Sequence, residues 1–148
     1  MQMTIYTDGS CSLNPGPGGW AFIILEGTDI IDRGSGAAPE TTNNRMELYA
    51  VLSAFEKLLS FPTPPDIVQV FSDSQYVIKG ITEWIGMWKY NAWKASNKQP
   101  VKNKDLWQRL DQVSRQFNVE WYWVKGHDGC EYNELCDRAA KAAINALF

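Results

Sequence analysis

Read along the chain, runs of β-favouring residues alternate with stretches of helical period. Met3 to Ser10 predicts a strand, with Ile5, Tyr6 and Thr7 favouring extended backbone. Asn14-Pro15-Gly16-Pro17-Gly18-Gly19 predicts a turn. Trp20 to Leu25 and Ile30 to Gly36 predict two more strands, joined near Gly27. Residues 43–59 carry a helical period, and Pro62, Pro64 and Pro65 end it. Ile67 to Phe71 is a short apolar run that predicts a buried strand. A helical stretch begins near Ser74, and Asn103 to Gln116 predicts another helix. Trp121 and Trp123 alternate with Tyr122 and Val124, as in a strand over Val119 to Val124. Glu131 to Leu147 is an alanine-rich helix. Three strands, a helix, a strand, helices, a strand and a helix fit an α/β domain with a mixed sheet. The sequence has no internal repeat, low-complexity tract or linker, so residues 1–148 are expected to form one domain.

Placed on this pattern, four acids fall at costly positions. Asp8 lies within the first strand. Glu47 shares its helix face with Ala50, Val51, Ala54 and Leu58, which is the apolar face. Asp73 ends the run Val70-Phe71-Ser72-Asp73, and Asp137 shares a face with Ala140 and Ile144. Inward carboxylates need compensation, and a divalent cation would supply it. An oxygen-only ligand set selects Mg²⁺ or Mn²⁺ over zinc. Each acid also has an ordinary structural explanation. Asp73 could cap the helix after it, and Glu47 could close a capping box with Asn44. Asp137 could pair with Lys141, and Asp8 could belong to a turn before Gly9. The acids lie far apart in sequence, so periodicity cannot bring them together.

Composition is that of an ordinary globular protein, with 45% hydrophobic and 21% charged residues. No apolar run approaches the roughly 20 residues that span a membrane, and the start MQMTIYTDGS has no signal-peptide pattern. Cys11, Cys130 and Cys136 are odd in number and lack metal-ligand spacing, which fits a reducing cytoplasm. The net charge of −3 conceals a segregation. Gly86 to Arg109 holds Lys89, Lys94, Lys98, Lys102, Lys104 and Arg109 against Asp105, a charge of +5 that leaves −8 elsewhere. Trp84, Trp88, Trp93 and Trp107 lie in or beside this segment. Basic charge interleaved with aromatics suits a polyanion partner better than the net charge suggests.

Six motifs, in order and spacing, resemble bacterial-type ribonuclease HI. They are Thr7-Asp8-Gly9-Ser10-Cys11 with Asn14-Pro15-Gly16-Pro17-Gly18-Gly19; Thr42-Asn43-Asn44-Arg45-Met46-Glu47-Leu48; Ser72-Asp73-Ser74-Gln75-Tyr76; Val101-Lys102-Asn103-Lys104-Asp105-Leu106-Trp107; Trp123-Val124-Lys125-Gly126-His127; and Asn133-Glu134-Leu135-Cys136-Asp137. The resemblance runs from Thr4 to Ala143. It implies a ribonuclease H-like fold, a five-stranded mixed sheet flanked by helices. It also implies cleavage of the RNA strand of an RNA–DNA hybrid, leaving 5′-phosphate and 3′-hydroxyl ends. Asp8, Glu47, Asp73 and Asp137 would hold two Mg²⁺ ions, with Mn²⁺ as a substitute, for in-line displacement by water. His127 would assist proton transfer, for which an ordinary pKa near 6.5 is suited; between Gly126 and Gly129 it could equally be a plain loop residue. Glu134 matches a secondary acid of the family, or is a helix-surface residue.

On the same resemblance, Cys11, Asn14, Asn43 and Gln75, with Glu47, would face the RNA 2′-hydroxyls. Thr42 and Asn103 would hold a DNA phosphate. Trp84, Trp88 and Trp107 would line a DNA-side channel. The lysines Lys89, Lys94, Lys98 and Lys102 would grip the backbone from a protrusion at about residues 84–107. Trp20, Trp121 and Trp123 are expected in the core. Glu40 departs from the pattern, standing two residues before Thr42 where relatives often carry a basic residue. The chain is expected to act as a cytoplasmic monomer, without membrane association and without an accessory hybrid-binding domain at its N-terminus. The alternatives are a junction or DNA-end nuclease of the same superfamily, the RNase H portion of a reverse transcriptase, and a non-catalytic hybrid-binding module. Four intact acids count against the last.

Overall fold

The computed structural model describes residues 1–126 and 130–148. Five strands, β1 (Gln2–Cys11), β2 (Gly16–Glu26), β3 (Asp29–Thr41), β4 (Ile67–Ser72) and β5 (Val119–Trp123), form one sheet in the order β3-β2-β1-β4-β5. β1, β2 and β3 pair antiparallel, and β4 pairs parallel with both β1 and β5. The helices are α1 (Asn43–Leu59), α2 (Gln75–Lys79), α3 (Ile85–Tyr90), α4 (Lys104–Ser114) and α5 (Glu131–Asn145), with a π-helical turn at Gly80–Trp84 between α2 and α3. The expected order of elements is met throughout, and the sheet is mixed.

Two hydrophobic clusters cover the two faces of the sheet. Ile5, Phe22, Ile24, Val68 and Val70 pack with Leu48, Val51, Ala54, Phe55 and Leu58 of α1 and with Leu106, Trp107, Leu110 and Val113 of α4. Ala21, Ile23 and Leu25 pack with Cys136 and Ala140 of α5. β2 therefore reads as a continuous apolar run because it is covered on both faces.

The strands overrun their predicted ends. β2 begins at Gly16, inside the expected turn, because the β1–β2 ladder continues to Cys11 opposite Gly18, and Ser12 N–H donates to the Pro17 carbonyl at 2.8 Å. β3 runs on to Thr41, opposite Gly16, past a register shift between Gly16 and Gly18. Trp20 and Trp121 pack against the larger cluster, as expected. Trp123 does not: it is exposed, and its Nε1–H donates to the Asp73 carbonyl at 3.0 Å. Alternation along β5 puts it on the same face as Trp121, but it stands at the last residue of the strand, outside the cluster that Trp121 packs against.

Candidate active site

Strand register brings the first two acids together. The parallel β1–β4 ladder ends with Thr7 opposite Ser72, so Asp8 and Asp73 follow side by side. Asp8 is buried and paired with Ala21 in β1, which excludes a turn role. Asp73 does not cap α2; Ser74 does, its Oγ accepting from Val77 N–H at 3.1 Å.

Glu47 reaches the same place from α1. Its helix is capped by Thr42, whose Oγ1 accepts from Arg45 N–H at 3.3 Å, so no Asn44–Glu47 capping box forms. Gly9 makes the approach possible. A Cβ there would lie 2.3 Å from the Met46 carbonyl carbon and 2.4 Å from the Glu47 nitrogen, both backbone atoms. Gly9→Ala should therefore push the start of α1 off β1, costing about 1–3 kcal/mol and separating Glu47 from Asp8. The check is a thermal melt alongside a cleavage assay; an unchanged melting temperature with full activity would refute this account of the contact.

One carboxylate oxygen from each of Asp8, Glu47 and Asp73 lies within 4.8 Å of the others. Asp137, on α5, lies close enough to Asp8 to act on its carboxyl and also forms the expected i,i+4 ion pair with Lys141, at 3.0 Å. The structure thus brings all four acids to one end of the sheet, with Asp137 held partly by Lys141. Burial, then the Asp73 charge, then the hydrogen bond and charge of Asp137 push the Asp8 carboxyl up to about 8. Burial, then the charges of Asp8 and Asp73, hold Glu47 well above the usual carboxylate range, against a hydrogen bond from Gly9 N–H. Among the described residues Glu47 Oε2 is buried without a hydrogen-bond partner. An orphaned carboxylate oxygen beside two further acids fits a hard divalent cation bound through oxygen.

The start of α1 also organises the residues expected at the substrate. Cys11 N–H donates to Asn43 Oδ1 at 2.6 Å, and Asn43 N–H donates to Asn14 Oδ1 at 3.3 Å, so these three meet at one edge. Gln75 is exposed in the first turn of α2. Thr42 and Asn103 are joined through Arg45, whose Nη1 donates to Asn103 Oδ1 at 3.1 Å. Arg45 also makes a two-pronged pair with Asp105, at 3.1 and 2.9 Å. Glu40 is exposed, and its charge acts on the Cys11 thiol. Glu134 is exposed on α5. His127 lies outside the described residues.

Trp107 is a correction. It is fully buried, with its Nε1–H donated to Tyr76 Oη at 3.0 Å, so it supports the site from the core rather than facing a substrate. Close packing on Gly80 holds it there, where an added Cβ would lie 2.1 Å from the Trp107 ring. Trp84 and Trp88 remain half-buried, in a chain of ring contacts from Tyr76 through Trp84 and Trp88 to Trp93. Arg45, Tyr76 and Gly126 were given no role from sequence. A Cβ on Gly126 would lie 2.9 Å from Asp73 Oδ2. Arg45 and Tyr76 lie inside the motifs quoted above, but their partners are 27 to 60 residues away.

A mixed sheet whose central strands converge carboxylates at one end, with an arginine-anchored helix start beside them, defines a metal-dependent phosphodiesterase of ribonuclease H type. The RNase H family model matches residues 1–145. Ribonuclease H of Treponema pallidum is 50% identical, over 95% of this chain and 89% of that protein. LC9-RNase H1, a type 1 RNase H with the type 2 active-site motif, superposes with a TM-score of 0.85 at 31% identity, over 99% of this chain and 74% of that one. LC11-RNase H1 in complex with an RNA/DNA hybrid superposes with a TM-score of 0.77 at 23% identity, over 98% of both chains. This chain belongs to the RNase H family.

Proposed function

We propose that this chain is a single catalytic domain that cuts the RNA strand of RNA–DNA hybrids, leaving 5′-phosphate and 3′-hydroxyl ends. The observation that carries the reading is the convergence of Asp8, Glu47 and Asp73, with Asp137 beside Asp8, inside a fold of the RNase H family. Asp8, Glu47, Asp73 and Asp137 would hold two Mg²⁺ ions. Bound there, divalent cations supply activation of water and stabilisation of the leaving 3′ oxygen. The protein's own part is to hold four acids in one place and to orient the hybrid across them. No side chain need act as nucleophile.

Cys11, Asn14, Asn43 and Gln75 take the RNA edge in this reading. Thr42 and Asn103 take a DNA phosphate, and Trp84, Trp88 and the basic segment at about 84–107 take the DNA strand. A monomer is part of the same proposal. Cys11, Cys130 and Cys136 are all free thiols, which supports the cytoplasm. Among the described residues no helix is long and apolar enough to cross a membrane.

The test is cleavage of three end-labelled duplexes (hybrid, double-stranded RNA, double-stranded DNA) with Mg²⁺ and with chelator. Cleavage confined to the RNA of the hybrid, and lost in chelator, is expected. Cleavage of duplex DNA would favour a junction or DNA-end nuclease, and binding without cleavage a non-catalytic module.

A further inference from the structure

The hydrogen bonds around Tyr76 fix where its own proton goes. Arg45 is a donor only, so the Asn103 atom it contacts at 3.1 Å must be the amide oxygen. The Asn103 amide nitrogen then faces Tyr76 Oη, also at 3.1 Å, and an amide nitrogen only donates. The Trp107 indole N–H, a donor only, reaches the same Tyr76 oxygen at 3.0 Å. Both lone pairs of that oxygen are therefore filled by N–H groups, and its O–H proton must point to a third partner. Among the described residues no acceptor takes it. The second amide proton of Asn103 is likewise left over.

Asn103 is held rigidly enough for this to matter. It stands at the start of α4 in the left-handed region, φ 59°, yet makes no side-chain cap to its own helix. Its amide is instead clamped between Arg45 and Tyr76. Trp107, in turn, is fixed by complete burial.

We propose that the Tyr76 hydroxyl is a donor to a DNA-strand phosphate, paired with the free amide proton of Asn103, and that Arg45 and Trp107 are positioning residues that aim this pair. The proposal rests on the reading that Thr42 and Asn103 take such a phosphate, and it deepens that reading. The ligand must be acceptor-only, since every free group here donates: Tyr76 O–H, Asn103 N–H and the Thr42 hydroxyl, whose oxygen already accepts from Arg45 N–H. A phosphodiester oxygen meets that requirement. The Arg45 charge is taken up by Asp105. The pocket thus works through neutral donors fixed in place, and its contribution should depend little on salt.

The test uses Tyr76→Phe in the full chain, with hybrids carrying one neutral methylphosphonate linkage at successive DNA-strand positions. For the wild type, one position should raise KM. Tyr76→Phe should raise KM on the order of 10-fold on unmodified hybrid, with kcat and the salt slope little changed. At the sensitive position the variant and the neutral linkage should not add, because both remove the same bond. Arg45→Lys loses the two-pronged grip and frees the Asn103 amide while keeping Tyr76 and Trp107. It should show the same non-additivity, and it carries the test if Tyr76→Phe melts below the assay temperature. A wild-type KM in Tyr76→Phe, or full additivity in both variants, overturns the proposal and leaves the Thr42–Asn103 pocket standing. A wild type insensitive to neutral linkages at every position removes the pocket itself.

Discussion

Asp8→Asn should lower RNA-strand cleavage on the order of 10³-fold or more while making the metal-free protein more stable. The first effect follows from removing a carboxylate from the cation site, whose electrostatic contribution is worth several kcal/mol at about 1.4 kcal/mol per tenfold. The second follows from the same cluster without its cations. Asp8 is pushed up to about 8, first by burial and then by Asp73 and Asp137. In the unfolded chain an aspartate titrates near 3.9. Between those values the folded, metal-free protein binds a proton that the unfolded chain has released. Stability in chelator therefore falls as pH rises from about 4 to 8. Glu47 is displaced in the same direction and adds to the slope. The Asn side chain cannot ionise, so it should flatten this slope and raise the melting temperature near pH 8 by roughly 3–10 °C. Mg²⁺ should stabilise the wild type strongly and the variant weakly. Melting curves across pH, with chelator and with Mg²⁺, test the stability half; residual cleavage tests the other. A variant that melts lower in chelator at pH 8 would show that Asp8 is compensated by protein groups, and the cation reading of the cluster would fail.

The fold was legible because its elements are strongly patterned. β2 carries enough apolar residues to be buried twice, and the α1 period places Ala50, Val51, Ala54 and Leu58 inward, where all four are buried. Strand ends were harder, since Gly16 to Gly19 satisfies turn chemistry and strand geometry equally. The cluster of acids was not legible from periodicity. It depends on the parallel β1–β4 register that sets Asp8 beside Asp73, and on the missing Cβ of Gly9 that admits Glu47. Those are contacts between distant segments, and only the motif resemblance anticipated them. Trp107 and Trp123 were misplaced for the opposite reason. Tryptophan suits core, channel and rim alike, and what separates the cases is the partner of its indole N–H: Tyr76 Oη in the core for one, the Asp73 carbonyl at the site's edge for the other.

Alanine at Lys94, Lys98 and Lys102 together should raise KM for hybrid by on the order of 10²- to 10³-fold near 0.1 M salt, with kcat at saturation little changed. The segment that carries them is anchored by its aromatics: Trp88 and Trp93 pack against the main core, and Ile85 is buried in it. Its loop is shaped by backbone bonds, Trp93 N–H to the Trp88 carbonyl at 2.6 Å and Val101 N–H to the Trp93 carbonyl at 3.1 Å. Ala92, Trp93 and Lys98 all have positive φ. A loop of this kind is expensive to form from ordinary residues, so it presents its charges in a fixed array. Lys94, Lys98 and Lys102 are exposed and make no ion pair among the described residues. Lys89 differs, because Asp111 holds it at 3.2 Å. The structure therefore narrows the expected grip from four lysines to three, and Lys89→Ala alone should change KM little. Each phosphate contact contributes a slope of about 0.7–0.9 in the salt dependence, so the triple variant should flatten it by roughly 2–3. Between 1 M salt, where the electrostatic contribution vanishes, and 0.1 M, that slope is the stated loss in affinity. The acids that would hold the metals lie elsewhere, on β1, α1 and α5 and just past the end of β4, which is why kcat should stand. An unchanged salt slope would mean that the tryptophans merely fasten the segment to the body while its lysines keep it solvated. The grip on the substrate would then rest on the neutral donors at Thr42, Asn43 and Asn103.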